Sequence, residues 1–589
     1  MTVEKLITDH INIWSSALQT RSTAGRGSNG KIDLYGIKKL RELILELAVR
    51  GKLVPQDPND EPASELLKRI AAEKAELVKQ GKIKKQKPLP EISEDEKPFE
   101  LPAGWDVIRL GEIATKIGSG STPRGGQSTY IFSGVPFLRS QNIWNDGLKL
   151  DDVVFIAPEV HSQMDGSQVE DFDILLNITG ASLGRCTIYP NNVGEANVNQ
   201  HVTIIRLIEK EIISFLHLAI ISPVIQKLIW GRQVGMAIEG LSKKTLELFE
   251  IPVPPLLEQL RIVHKARDLM SLCDHLEQQS LTSLDAHQQL VETLLATLVD
   301  SQHAEELAEN WARISQHFDT LFTTEASIDA LKQTILQLAV MGKLVPQDPN
   351  DEPASELLKR IEQEKAQLVK EGKIKKQKPL PPVNDEEKPF ELPQGWEWCR
   401  IIEIAQVGTG ATPSRDNPDY WQYPEYNWVT SGETSSPFIF NTAEKISVKA
   451  VKETNVCIYS PGTIIIAMYG QGKTRGQVSE LCISAGTNQA CAAIQLFDKN
   501  EYHRRYIKLF FEKSYEDLRS LAAGGAQPNL NLAKVSSTLI PIPPFNEQIK
   551  ITTKVEELFK VCDSLQSRLQ SAQQTQLHLA DALTDAALN

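Results

Sequence analysis

The chain has 589 residues, of which 41% are hydrophobic and 24% charged, and this is the composition of a soluble globular protein with roughly three to four folding units. No apolar run reaches the ~18 residues that a membrane span needs, the N-terminus lacks a signal-peptide pattern, and the seven scattered cysteines form no C-x-x-C pair, so we expect a cytoplasmic location. The net charge of −13 argues against a protein that coats nucleic acid indiscriminately, although it allows a reader of specific bases.

The chain is a tandem repeat. The stretch GKLVPQDPNDEPASELLKRI fills residues 51–70 and returns unchanged at 342–361, and matching connectors and helices surround both copies. Two blocks, 104–255 and 396–544, have similar lengths and shared landmarks but differ at most positions. A duplication that keeps its frame while its inserts diverge predicts two similar modules that recognise different things, on a frame that contacts the same kind of partner twice.

Each copy of the frame begins with an acidic turn and a helix. In the first copy, Asp60 and Pro62 lead into ASELLKRIAAEKAELVKQ, which stops at Gly81, a pattern typical of a helix with an early proline and a terminal glycine. The basic, proline-stiffened segment KIKKQKPLP follows. It is either a solvated tether or a strap along a DNA backbone or an acidic partner, and the sequence favours neither.

The two divergent blocks alternate short β-rich runs with turns, as in DILLNITG, HVTIIRL, GTIIIAMYG and ACAAIQLF, and we predict that each is a mixed α/β globule. Residues 104–255 hold 12 Lys and Arg against 16 Asp and Glu, a net charge of −4. Residues 396–544 hold 14 against 14, a net charge of zero. If such blocks bind DNA, a few polar side chains that contact base edges fit better than broad phosphate binding.

We find no predicted active site. AMYGQGKT at 467–474 nearly matches the phosphate loop G-x-x-x-x-G-K-[ST], but Ala467 replaces the first glycine. The aligned segment of the first copy, NITGASLGRC, has Leu183 in place of the phosphate-binding lysine. The segment PIPPF places Ile542 where an amino-methyltransferase needs Asn or Asp, and the histidines show no metal-binding spacing. The sequence therefore predicts a binding protein with no metal and no cofactor of its own.

After each block, the motif IPxPPxxEQ opens a long helix with apolar residues at alternating spacings of three and four, which is a heptad seam. The seam of the second copy is about 42 Å long at ~1.5 Å per residue. We predict that the two helices pair as an antiparallel coiled coil, the alternative being that each packs into its own domain core. The seam positions are Val555, Leu558, Cys562, Leu565, Leu569, Ala572, Gln576, Leu579 and Leu583 in the second copy, and Ala266, Leu269, Cys273, Leu276, Ser280, Ser283, His287, Leu290 and Leu294 in the first.

Two divergent globules on paired helices resemble the specificity (S) subunit of type I restriction-modification enzymes. The resemblance covers nearly the whole chain and rests on motifs that occur twice in the same order: GSGSTP and GTGATP, GASLGR and GQGKTR, NVNQHVTIIRL and GTNQACAAIQL, and IPxPPxxEQ. The N-terminal and linker repeats are most similar to the IB branch of that family. The implied fold class is α+β, with two mixed α/β target recognition domains joined by long helices in a tandem pseudo-twofold repeat.

The resemblance implies a non-catalytic subunit that reads the two halves of a bipartite, asymmetric DNA site. Its expected partners are double-stranded DNA, two modification subunits that methylate adenine with S-adenosylmethionine, and two restriction subunits that use ATP and Mg. The rival interpretation is a protein-interaction scaffold with two ligand domains on a coiled-coil strut and no nucleic acid. The expected boundaries are 1–103 for the N-terminal frame and linker, 104–255 for recognition domain 1, 256–394 for the central helix and repeated frame, 395–544 for recognition domain 2, and 545–589 for the C-terminal helix.

Candidate DNA-contacting residues lie on loops where the two blocks differ, and on the central turn of each block. Arg is chemically matched to guanine, Gln and Asn to adenine, and Glu to cytosine. Each candidate is otherwise a surface loop residue without a DNA contact. The candidates are Thr122, Arg124, Arg139, Ser140, Gln141, Asn142 and Arg185 in the first block, and Thr412, Arg415, Thr430, Ser431, Glu433, Lys473 and Arg475 in the second.

Overall fold

The computed structural model describes residues 3–21, 31–233, 240–376, 380–470, 474–515, 517–518 and 530–588. The chain divides into two compact units. Unit 1 comprises residues 1–19, 34–281 and 575–589, and unit 2 comprises residues 20–33 and 282–574. Each unit thus holds one recognition domain with its frame, the first part of one long helix and the last part of the other.

Recognition domain 1, in unit 1, contains two four-stranded sheets. The apolar runs found in the sequence form their central strands, because residues such as Ile174, Leu175 and Ile204 are completely buried. The first sheet has the order Cys186–Ile188, Ile174–Asn177, Val202–Leu207 and Ala114–Ser119, all antiparallel, and the second has the order Val154–Ile156, Val135–Leu138, Ala196–Val198 and Gln168–Val169. The helices of unit 1 before the first long helix are Val3–Asp9, Ile11–Ser16, Tyr35–Val49, Ala63–Lys79, Leu110–Ile113, Pro158–Ser162, Ile213–Ile221, Pro223–Gly231 and Lys243–Glu247.

Recognition domain 2, in unit 2, has the same two-sheet arrangement although most of its residues differ, and its first sheet gains a fifth strand, Phe438–Ile439, parallel to Val478–Leu481. Its sheets have the orders Ala405–Thr409, Cys491–Leu496, Ile464–Ala467, Val478–Leu481 and Phe438–Ile439, and Glu444–Ile446, Tyr426–Val429, Ala485–Thr487 and Ile458–Tyr459. The shorter helices of unit 2 are Ala304–Gln316, Phe318–Leu321, Glu325–Val340, Ala354–Lys370, Ile401–Ile404, Val448–Glu453, Glu501–Lys513 and Leu532–Ser537. The predicted mixed α/β fold is therefore confirmed in both blocks.

In each unit a two-stranded ribbon closes the recognition domain above the start of a long helix. In unit 1 the strand Asp106–Arg109 pairs with Glu250–Val253. In unit 2 the strand Glu397–Arg400 pairs with Leu539–Ile542. Since these strands open and close each block, the divergent sequence between them is carried as an insert on a fixed base.

The motif IPxPPxxEQ has a structural role that is the same in both units. Trp105 donates its indole N–H to Glu258 (3.1 Å), and Trp396 donates to Glu547 (2.9 Å). The adjacent glutamine closes the turn, since Gln259 donates to the Pro254 carbonyl oxygen at 2.9 Å. Burial raises the pKa of Glu547 to about 7. The Glu–Gln pair thus ties the start of each long helix to the first strand of its recognition domain.

The identical twenty-residue stretch packs on the same base. Gly51 adopts φ +69°, and a Cβ there would come within 2.7 Å of Pro102 and 2.9 Å of Trp105. The Ala63 N–H donates to the Gly104 carbonyl oxygen at 2.9 Å. The corresponding contacts recur in unit 2, where a Cβ on Gly342 would meet Pro393 and Trp396. The sequence is repeated because it braces the same ribbon in each unit.

The long helices, Leu256–Asp300 and Phe545–Leu588, are continuous as predicted, but the seam drifts. Ala266, Cys273 and Cys562 are buried on the predicted stripe. Later in each helix the prediction is wrong by one residue, because Leu290 is 51% exposed while its neighbour Val291 is 2% exposed. Likewise Leu579 is exposed, and Ala580 is buried instead. A straight helix with 3.6 residues per turn drifts ~20° per heptad relative to a 3.5-residue seam, which accounts for the shift.

A third helix, which the sequence analysis did not assign, accompanies the long helices in each unit. In unit 1 the helix Tyr35–Val49 binds the first long helix through Arg41, which pairs with Asp274 and Glu277. The same helix reaches the second long helix where Tyr35 donates to Asp581 at 2.7 Å. In unit 2 the helix Glu325–Val340 and the turn after it do the equivalent, since Lys332 pairs with Asp563 (2.8 Å) and Lys343 donates to the Val299 carbonyl oxygen (2.6 Å).

Among the described helices, no single one is long and apolar enough to cross a membrane, while the bent pair Ile213–Ile221 and Pro223–Gly231 has sufficient combined length and hydropathy. Several residues of the first member of this pair, such as Phe215 and Leu216, are buried in unit 1.

Candidate nucleic-acid interface

The sheet topology of domain 1 brings three loops to one edge. Val135–Leu138 and Ala196–Val198 are parallel neighbours, with Phe137 opposite Asn197, so the loops that follow them lie side by side. The strand Ile174–Asn177 is antiparallel to Val202–Leu207, so its carboxyl end meets the beginning of that strand. The loops 139–142, 178–185 and 199–201 therefore converge, although the sequence separates them by up to 60 residues.

These loops line an open cleft of about 460 Å³ on domain 1. Backbone bonds hold the edge together, since Ile178 N–H donates to the His201 carbonyl oxygen at 3.0 Å. The Asn177 side-chain amide donates a hydrogen bond to the Ser140 carbonyl oxygen at 2.7 Å, which links the end of its strand to the loop 139–142. Most of the residues that line the cleft carry polar side chains, and the full set is Ser140, Gln141, Thr179, Gly180, Ala181, Ser182, Arg185 and His201. The structure thus brings together three candidates from the sequence analysis: Ser140, Gln141 and Arg185.

Arg185 is held at the cleft by an aromatic ring. Its guanidinium carbon lies 3.7 Å from the centroid of the Trp144 ring, and the Lys149 ammonium lies 4.0 Å from the same centroid. Trp144 is fixed in turn by donating to the Gln141 carbonyl oxygen at 2.8 Å. A stacked guanidinium keeps its planar fork of N–H donors, which suits a guanine edge or a phosphate.

The loop after Val135–Leu138 divides into structural and exposed residues. Asn142 is completely buried, and its amide donates to the Lys149 carbonyl oxygen and to Asp152, both at 2.8 Å. Its Oδ1 accepts from the Arg139 backbone N–H. Asn142 is therefore a loop cap, and its role as a DNA contact stays a prediction. The exposed Gln141 side chain reaches the cleft and donates to Asp152.

Arg139 and Arg124 have different surroundings. Arg139 is half-buried and donates to the Asp152 carbonyl oxygen at 2.6 Å, so its guanidinium is largely committed within the domain. Arg124 directly follows the GSGSTP segment, and its side chain is exposed. Beside it, Thr122 donates its hydroxyl to Gln200. The candidates of the first loop are thus accessible, while the Arg139 guanidinium is bound to Asp152 within the domain.

Domain 2 brings the equivalent loops together with different side chains. The strand Tyr426–Val429 is parallel to Ala485–Thr487, and Thr412 bonds to Gln489 as Thr122 does to Gln200. Arg415 forms a two-bond pair with Glu444 (2.9 and 2.7 Å) and lies 3.7 Å from the Trp421 ring centroid. This hydrogen bonding raises the pKa of Arg415 and lowers that of Glu444. Arg415 is 56% exposed, so it is available to DNA as a stacked, paired cation.

The loop after Tyr426–Val429 again contains a cap. The Glu433 carboxylate accepts from the backbone N–H groups of Thr430 (2.6 Å) and Ala443 (2.8 Å), which commits it to the loop as Asn142 is committed in domain 1. Glu433 is therefore a loop cap, and its role as a DNA contact stays a prediction. Thr430 and Ser431 are half-buried at the same edge. Arg475 is also half-buried there, and Lys473 lies outside the described residues.

The sequence analysis missed several residues of this edge, because it did not predict that the loops carrying them lie side by side. Their clearest signal was the Asn-Gln pair that NVNQHVTIIRL and GTNQACAAIQL share, which marks the two glutamines bonded to Thr122 and Thr412. The described residues contain no group of three or more His, Cys, Asp or Glu that could hold a metal ion. The missed residues are Trp144, Lys149, Thr179, Ser182, Gln200, His201, Trp421 and Gln489.

The two recognition domains and the first parts of the long helices coincide with known sequence families. Residues 102–286 and 393–573 each match the family model described as the type I restriction modification DNA specificity domain. This chain belongs to that family. It is 53% identical to the type I restriction enzyme EcoEI specificity subunit of Escherichia coli and 49% identical to the EcoAI specificity subunit of the same organism, and both alignments cover 100% of each chain.

A solved structure from work on complex assembly and conformational transition of the type I R-M system gives a TM-score of 0.49 at 15% identity, covering 84% of this chain and 99% of that chain. The full-length relatives support a type I specificity subunit over a scaffold without nucleic acid. The exposed loop edge of each domain is then its candidate interface with DNA.

Proposed function

We propose that this specificity subunit reads one half of a bipartite, asymmetric DNA target with each recognition domain. The observation that carries the proposal is the repeated edge: three loops converge in both domains on the same base, yet present different side chains. Near-neutral blocks favour recognition of base edges by a few polar groups over broad phosphate binding. The two half-sites should therefore have different sequences.

The subunit directs the chemistry of its partners and performs none itself. We propose two modification subunits, which methylate adenine with S-adenosylmethionine, and two restriction subunits, which use ATP and Mg for translocation and cleavage. Support for a pair of each comes from the duplicated frame, because two nearly identical surfaces suit two copies of one partner. We also assign the chain to the IB branch, on the N-terminal and linker repeats.

The experiment is methylation of a random duplex library by the chain together with its modification subunit. We expect adenine methylation within a two-part motif of fixed spacer, and no methyl transfer by the chain alone. Native mass measurement should give two modification subunits per chain. Methylation without sequence preference, or a complex with one modification subunit, would contradict the proposal.

A further inference from the structure

A chain of hydrogen bonds links three loops at the cleft of domain 1. The Thr122 hydroxyl donates to Gln200 Oε1, and Gln200 Nε2 lies 3.2 Å from His201 Nε2. His201 Nδ1 lies 2.7 Å from Thr179 Oγ1. Because the amide nitrogen of Gln200 is a donor, His201 Nε2 is the acceptor, and the neutral ring carries its proton on Nδ1. That proton is donated to Thr179 Oγ1.

This direction of bonding determines what Thr179 offers to a ligand. A hydroxyl has one proton and accepts at its lone pairs. Since Thr179 Oγ1 accepts from His201, its own proton is available to an acceptor in the cleft that both residues line. Arg185 lines the same cleft and is stacked on Trp144, so a second donor group faces the same space. The cleft therefore presents donors at defined positions.

Domain 2 repeats one half of this series of hydrogen bonds and replaces the other half. Thr412 and Gln489 form the same pair as Thr122 and Gln200, at an offset of 290 and 289 residues. The position after Gln489 is Ala490, which takes the place of His201 and has no ring to continue the chain. The position before Gly470 is Tyr469, which takes the place of Thr179 before Gly180. The shared pair fits a positioning role, and the replaced pair fits a role in base selection.

We infer that Thr179 and His201, with Arg185, select the base read by domain 1, and that Gln200 and Gln489 are positioning residues common to both domains. The inference rests on the proposed function and adds which type of base domain 1 recognises. The hydrogen-bond donors that converge in the cleft match O6 and N7 of guanine, which are both acceptors. The Arg185 guanidinium would donate to the guanine, and the Thr179 hydroxyl would donate to the same guanine or to an acceptor of an adjacent base. The half-site of domain 1 then contains at least one guanine.

The test uses the complete methylating complex and a duplex library in which each half-site is randomised. Thr179→Val removes the hydroxyl and keeps the shape, and His201→Ala installs the residue of domain 2. Loss of one good base contact corresponds to about a tenfold loss of preference. We expect this loss at guanine positions of the domain 1 half-site, with the domain 2 half-site unchanged. His264→Ala, at an exposed site on the first long helix, is the control and should leave every preference unchanged.

The positioning residues have a distinct signature. Gln200→Ala should relax the same base positions as Thr179→Val, and Gln489→Ala should relax positions of the other half-site only. If Thr179→Val and His201→Ala lower methylation of all targets equally, or alter no preference, the inference is wrong while the proposed function stands. If the unaltered complex shows no sequence preference, the proposed function itself is wrong. Thermal melting of each variant separates unfolding from altered recognition, and a folded Thr179→Val with parental preferences overturns the inference.

Discussion

Glu547→Gln should stabilise unit 2 in a pH-dependent way. The Glu547 carboxyl is 1% exposed, one oxygen accepts from Trp396, and the other has no hydrogen-bond partner among the residues that the structure describes. Burial raises its pKa from 4.5 to about 7; the Trp396 bond opposes the shift, and Asp351 adds to it. Glutamine keeps an acceptor for Trp396 but removes the buried charge.

The magnitude follows from proton linkage. A carboxyl whose folded-state pKa is raised contributes no penalty below pH 4.5, where both states are protonated. Between pH 4.5 and 7 the folded state keeps a proton that the unfolded state has lost, so stability falls as the pH rises. Above pH 7 the full penalty is present. A shift from 4.5 to about 7 corresponds to ~3 kcal/mol as an upper limit, at ~1.4 kcal/mol per pKa unit.

The assay is thermal unfolding of the full chain and of Glu547→Gln from pH 4.5 to 8. We expect equal melting temperatures near pH 4.5. At pH 8 the melting temperature of the variant should be higher by up to about 6 °C, at ~2 °C per kcal/mol. Glu258→Gln, at the equivalent position of unit 1, should behave in the same direction, because burial also raises the pKa of Glu258. Glu364→Gln on an exposed helix face is the control. A difference that does not change with pH would refute a buried, proton-linked carboxyl at this position.

Three further predictions follow from the repeated architecture. Gly342→Ala should cost about 1–3 kcal/mol more in unfolding free energy than Gly372→Ala, since both have φ +70° but only the first would drive a Cβ into Pro393 and Trp396; equal losses in thermal melts would refute the brace. Asn142→Ala should lower the free energy of unfolding by ~1–3 kcal/mol, because it leaves buried groups unpaired. The exposed Gln141→Ala should change the free energy of unfolding by less than ~0.5 kcal/mol and should alter the DNA preference instead. Equal melting temperatures for the two variants would contradict the division of the loop into a structural cap and a DNA-contacting residue. Inserting one heptad into the exposed middle of each long helix, before Val291 and near residue 572, adds ~10.5 Å to each helix. The preferred spacer between the half-sites should then lengthen by about three base pairs, as measured by methylation of duplexes that differ only in spacer length. A variant that keeps the parental spacer and full activity would refute the idea that the helices set the spacer length.

Much of the fold could be predicted from the sequence because repetition and periodicity are local signals. The identical stretches at 51–70 and 342–361 located the frame, and the alternation of three and four located both long helices. The seam went wrong by one residue at Leu290 and Leu579, since a heptad count ignores the drift of a straight helix. The helix Tyr35–Val49 was missed as a partner of the long helices because its contacts, to Asp274 and Asp581, are far away in the chain.

The candidate interface was predicted less well, for a physical reason. Which loops meet is set by strand pairing, and the parallel contact of Phe137 with Asn197 cannot be seen from composition. Exposure is also not a property of residue type. Asn142 and Glu433 carry suitable groups for bases, yet both are bound by backbone N–H groups three residues upstream. In both loops the capping side chain lies three residues after the backbone N–H group that it binds. This is the spacing of a capping motif and can be recognised in the sequence.

Insertions within residues 290–298 would not test the spacing between the two half-sites. Val291, Leu295 and Leu298 are buried in the hydrophobic core of unit 2, so insertions there would unfold the unit before they tested spacing. The exposed middle of the helix, before Val291, is the place where length changes without loss of core contacts.

The central claim is that each recognition domain reads its own half-site on an interchangeable base. The most direct measurement grafts the block 104–255 of domain 1 into the position of 396–544, with the second frame intact, and maps adenine methylation on a random library. The graft is geometrically reasonable because the ribbons that bound both blocks, and the Trp–Glu bonds beneath them, are the same. The reciprocal chain, with two copies of domain 2, is the matched control for folding and assembly. We predict a target with two copies of the domain 1 half-site in the first chain, and two copies of the domain 2 half-site in the second. A methylated motif that retains both parental half-sites in either chain would contradict the claim.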